Sequence, residues 1–136
     1  MRLASAQLAA DLAIVTGLVW VSGGAASVFS FLYGIVVLVS ALVIGNRASQ
    51  AVAVGALLLY TLVGIPLANG WLPHPPDQPE TRYLLAASEV GFSLLSNIVG
   101  LLLVTLLAGN LADRLHRARG ELRRATASAA TFARLA

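Results

Sequence analysis

LLAASEVGFSLLSNIVGLLLVTLL, residues 84–107, runs without a break into AGNLADRLHRARGELRRATASAATFARLA, residues 108–136. The first part carries one charged residue, Glu89. At about 1.5 Å per residue it is long enough to cross a hydrocarbon layer of about 30 Å. The second part holds Arg114, Arg117, Arg119, Arg123 and Arg124 within a few turns. A helix that starts in lipid and ends in water is the reading that accommodates both halves.

Three more apolar runs precede it. They cover about residues 3–21, interrupted by Gln7 and Asp11, about 28–44, and about 51–67, with Pro66 near the end. Short breaks separate them at residues 22–27 and at Gly45-Asn46-Arg47. Residues 69–83 form a longer loop, in which Pro73, Pro75, Pro76 and Pro79 exclude a helix interior. The chain has 136 residues, of which 58% are hydrophobic and 11% charged. A soluble domain of this size could not hide so much apolar surface. The expected fold is all-α: a membrane bundle of about four transmembrane helices over residues 1–108, then a cytoplasmic coiled-coil helix over residues 109–136. Met1 to Ser27 also has the outline of a signal peptide, but Asp11 in its apolar core opposes that reading.

Orientation follows from the basic residues, all of which are arginine. Cytoplasmic flanks of membrane helices are enriched in them. With the tail inside, four crossings place Arg2 and Arg47 inside too and leave Arg82 outside. Trp20, Trp71 and Tyr83 then fall at the outer interface, where amphipathic rings prefer to sit. Both termini are expected in the cytoplasm of a bacterial inner-membrane protein.

The tail carries a heptad. Apolar residues recur at Leu111, Leu115, Ala118, Leu122, Ala125, Ala129 and Phe132 in steps of four and three, the seam spacing of two helices in contact. The register extends upward through Ala108, Val104 and Leu101 into the span. A homodimer is the expected assembly; a single amphipathic helix lying on lipid is the competing reading.

Little in the chain suggests chemistry. With no cysteine there are no thiolates, and His74 and His116 are too isolated to hold a metal. No cofactor, catalytic residue or nucleic-acid site is expected, because arginines just after a span read first as topology and headgroup contact. Asp11 and Glu89 are costly acids inside apolar runs. Glu89 is expected to pair with Arg82, and Asp11 with a Ser or Thr of a neighbouring helix. Glu89, Ser93, Asn97 and Gly100 form a polar, small-residue stripe suited to close helix approach.

The stretch from Leu8 to Thr16 with Asp11 at its centre, then Trp20-Val21-Ser22-Gly23-Gly24, Ser27 and Phe31-Leu32-Tyr33, resembles the membrane sensor region of PilS-type histidine kinases, which are similar to nitrogen-regulatory kinases. Gly45-Asn46-Arg47 and Leu111-Ala112-Asp113-Arg114-Leu115 extend the resemblance over nearly the whole chain. It implies a signal-input role, with the signal passing down the last helix, and a pilin-like membrane protein as ligand. It also implies that a PAS domain, a dimerisation domain with the phosphorylated histidine and an ATP-binding domain follow. The chain itself is then not an enzyme, and His116, in Leu115-His116-Arg117, does not match the phospho-acceptor motif. The family usually has two further spans before the Asp-containing helix, so the chain reads as a partial or truncated member. The residues expected to sense or couple the signal are Asp11, Gly23, Gly24, Glu89 and Asn97. A small proton-coupled transporter, or an assembly subunit of a membrane complex, is the rival reading.

Overall fold

The computed structural model describes residues 2–135, with the side chain of Arg2 excepted. All regular structure among them is helical: α1 (Arg2–Ser22), α2 (Leu32–Val43), α3 (Asn46–Ala68) and α4 (Ala87–Leu135), with single 3-10 turns at Gly24–Ala26, Val28–Phe31 and Glu80–Arg82. α2, α3 and α4 pack against one another, and α1 lies on α2 and α3. Short connections make sequence neighbours antiparallel. The 22–31 and 69–86 connections therefore share one end of the bundle, the loop end. The turn at Gly45 and the free part of α4 mark the other, the tail end.

The core is narrow. Leu8, Val15 and Val19 of α1 meet Tyr33, Val36 and Val37 of α2, Ala56 and Tyr60 of α3, and Leu101 of α4. Near the tail end, Ala41, Ala108 and Ala112 let α2 and α4 approach closely. Outside this core the apolar side chains point outwards; Leu62 and Leu106 are 65% and 63% exposed. So large an exposed apolar surface suits lipid as the solvent. Three helices are long and apolar enough to cross a membrane, within Leu3–Ser22, Asn46–Ala68 and Ala87–Leu135. Their hydroxyls are satisfied locally, as lipid demands: Thr16, Thr61 and Thr105 each bond a carbonyl one turn back.

Three boundaries differ from the sequence reading. α3 begins at Asn46 rather than near residue 51, and the other two differ for local reasons. Residues 28–31 form a 3-10 turn, so α2 has twelve helical residues, a length of about 18 Å at ~1.5 Å per residue. The stretch preceding it is consequently drawn into the bundle; Gly24, Ala25 and Ser27 are buried. α4 begins at Ala87 rather than near Leu84. The Glu89 carboxylate accepts from the Ala86 N–H at 3.1 Å, closing one of the free donors at the helix start. From there α4 is a single helix to Leu135.

Candidate functional site: a polar knot at the loop end

The buried loop is the centre of the polar interior. Gly23 and Gly24 have φ of +130° and +58°, which L side chains rarely adopt. A Cβ on Gly24 would also lie 3.1 Å from Leu67 Cδ1. Gly64 lets α3 close on the loop from the other side: a Cβ there would sit 3.4 Å from that of Ala25. The pair of glycines turns the chain so that the Ala25 carbonyl points into the bundle.

That carbonyl gathers two helices. The Tyr60 hydroxyl of α3 donates to it at 2.7 Å, and the Ser93 hydroxyl of α4 donates to it as well. Tyr60 Oη and Ser93 Oγ lie 3.0 Å apart, and Asn97 Nδ2 donates to the Ser93 carbonyl at 3.1 Å. Tyr60 meets Tyr33 of α2 edge to face, with ring centroids 6.3 Å apart. Tyr33 Oη in turn lies 2.8 Å from Thr16 Oγ1 of α1. All four helices and the loop are thus joined through one chain of contacts. Tyr33 and Tyr60 are fully buried and Ala25 is 2% exposed.

A second set of contacts closes the end. The Tyr83 hydroxyl donates to the Val21 carbonyl at 2.7 Å, and His74 stacks on the Tyr83 ring at 5.5 Å. His74 Nε2 lies 3.6 Å from a Glu80 carboxylate oxygen. Trp20 Nε1 donates to the Pro73 carbonyl at 3.3 Å. These bonds clamp the proline-rich loop onto the end of α1.

The expected site residues divide. Gly23, Gly24 and Asn97 converge on the knot; Asp11 and Glu89 do not. Glu89 is exposed beside a cleft that it shares with Ala26, Ser88 and Ser93. Its expected ion pair with Arg82 is not formed, because Glu89 caps Ala86 while the Arg82 guanidinium donates to Gln78 at 3.0 Å. Asp11 is half-buried, and among the described residues no hydroxyl of a neighbouring helix bonds to it. The sequence reading missed the roles of Tyr33 and Tyr60. A phenol inside an apolar run needs a partner for its hydroxyl, and that requirement was the available signal. Ala25 gave none, since its working atom is a backbone oxygen.

On α4 the upward continuation of the heptad is already occupied. Leu101 and Ala108 are buried within the chain's own bundle. Below them Leu111, Leu115, Ala118, Leu122, Ala125, Ala129 and Phe132 are exposed.

No curated protein and no solved structure matches the chain. A family model for the PilS-like transmembrane domain, however, matches residues 1–122, taking in α1, the buried glycine loop, α2, α3 and most of α4. A chain of lipid-facing helices matched over nearly its whole length by that model is a membrane protein of known kind: it belongs to the PilS-like transmembrane domain family.

Proposed function

We propose that this chain is the signal-input region of a two-component sensor histidine kinase, dimeric in the bacterial inner membrane, with both termini cytoplasmic and no catalysis of its own. One observation carries the reading. The knot around the Ala25 carbonyl holds α4 at Ser93, and α4 then continues unbroken to Leu135, about 60 Å further on at ~1.5 Å per residue. A shift at the loop end is delivered to the tail as a shift of one rigid element.

The energetics suit a switch. Side-chain hydrogen bonds between membrane helices average about 0.6 kcal/mol and reach about 1–2. The two bonds that Tyr60 and Ser93 donate to the Ala25 carbonyl are therefore together worth roughly 1–4 kcal/mol. A ligand that favours the loop in a displaced position by a few kcal/mol would reverse the balance between two packings. The resemblance to PilS-type sensors makes a pilin-like membrane protein the first ligand to try.

The reading predicts that the full-length protein in inner-membrane vesicles incorporates phosphate from ATP on a histidine outside this region. Ser93→Ala, which removes the α4 donor, should change that level several-fold without loss of protein from the membrane. Absence of histidine phosphorylation, or a level that Ser93→Ala leaves unchanged with and without inducing signal, would contradict it.

A further inference from the structure

The exposed stripe of α4 and a groove beside it lie on one line. Because α4 is a single helix, the rotational position of every side chain along it is set at about 100° per residue. Leu101, Ala108 and Ala112 face the chain's own bundle. On the same count the seam from Leu111 to Phe132 centres about 70° to one side of Ala108. Followed towards the loop end, that side passes Leu107 and Leu103, 67% and 55% exposed, and arrives at Gly100 and Ser96. Leu102 and Leu106 are on the opposite side of the helix.

At Gly100 and Ser96 the bundle is open. A groove of about 310 Å³ separates α4 from α2, walled by Ser30, Phe31 and Gly34 on one side and by Ser96, Asn97 and Gly100 on the other. Nothing in the described residues fills it. A helix seated there must also run beside the heptad seam, since the two lie on one stripe of one helix. A second, parallel α4 meets both conditions together. Two-fold symmetry presents the same stripe on both partners, and heptad spacing is what two parallel helices in contact require. The small side chains at Ser30, Gly34, Ser96 and Gly100 allow the backbones to come close.

We propose that α4 of a second copy of this chain seats at the α2–α4 groove, in one interface running from Ser96 through Leu107 into the coil seam. The proposal rests on the dimer reading given above and deepens it. It also brings the knot to the interface: Asn97 belongs to both, and Ser93 lies one helical turn from Ser96. A change at the Ala25 carbonyl would then act on the dimer contact directly.

These 136 residues contain no cysteine, so single replacements here, in a full-length protein with any cysteines elsewhere replaced, report each position separately in native membranes. Leu122→Cys reads the coil. Ser96→Cys and Leu107→Cys read the proposed membrane interface, and Leu102→Cys and Leu106→Cys the opposite face. Disulfide dimers are expected at 122, and at 96 and 107 several-fold above 102 and 106. Ser30→Leu, which fills the groove, should reduce the yield at 96 and leave that at 122. Dimers at 122 with none at 96 and 107, or with equal yields at 102 and 106, would overturn the interface and spare the dimer. An unchanged yield at 96 in the Ser30→Leu background would also overturn it. No dimers at 122, 96 or 107 would remove the dimer reading and the interface with it.

Discussion

Gly24→Val should destabilise the folded bundle by about 2–6 kcal/mol while leaving the protein in the membrane. Two costs combine. A β-branched residue at a φ of +58° is strained by about 1–3 kcal/mol. Its Cβ would also press on Leu67, 3.1 Å from Cδ1 and 3.3 Å from Cβ, and overpacking of this kind costs about 1–3 kcal/mol. The loop can relieve both only by moving, which pulls the Ala25 carbonyl away from Tyr60 and Ser93. Gly17→Val is the control, because a Cβ there meets nothing within 4 Å. Titration from mild detergent into SDS, followed by tryptophan fluorescence, measures the difference, since Trp20 and Trp71 both lie at the loop end. Equal losses for the two variants would mean that the buried loop is not what holds the bundle.

Arg117→Pro should abolish the dependence of output on signal and leave the bundle intact. Arg117 is exposed and lies outside both the core and the seam. A proline there removes a backbone hydrogen bond and clashes with the preceding turn, costing about 3 kcal/mol or more in a helix interior. The break falls between Ala112, the last buried residue of α4, and Leu122. The knot should form as before, so unfolding in detergent should match the parent protein. The ratio of kinase output with and without inducing signal should fall to about one, since the rigid element is cut. Arg117→Ala keeps the helix and should keep the ratio. A normal ratio in Arg117→Pro would show that the signal leaves the membrane by some route other than α4.

The helices were legible because lipid imposes simple demands. An apolar run as long as residues 84–107 has little choice but to be a helix, and arginines after it mark where lipid ends. The interior was less legible. Gly23 and Gly24 stood out as glycines in a break, but burial of that break depends on Gly64 and Leu67, about forty residues away in sequence. Tyr60 looked like one more large side chain in an apolar run until the Ala25 carbonyl came within reach of its hydroxyl. Glu89 looked like half of an ion pair because charge is visible in sequence and a free backbone N–H is not. The heptad was visible too, but spacing cannot say which helix a seam residue meets. Leu101 and Ala108 meet their own chain, and the same register turns outward from Leu111 onwards.

The central claim is that the knot at the loop end sets the position of the α4 tail. Spin labels on Arg124→Cys in the full-length protein measure that position through the interchain distance of the proposed dimer. The account predicts that Tyr60→Phe combined with Ser93→Ala moves the distance distribution by about 1–2 Å or more, the scale of helix shifts at signalling interfaces. A distribution identical to that of the parent, with both proteins dimeric and folded, would contradict it.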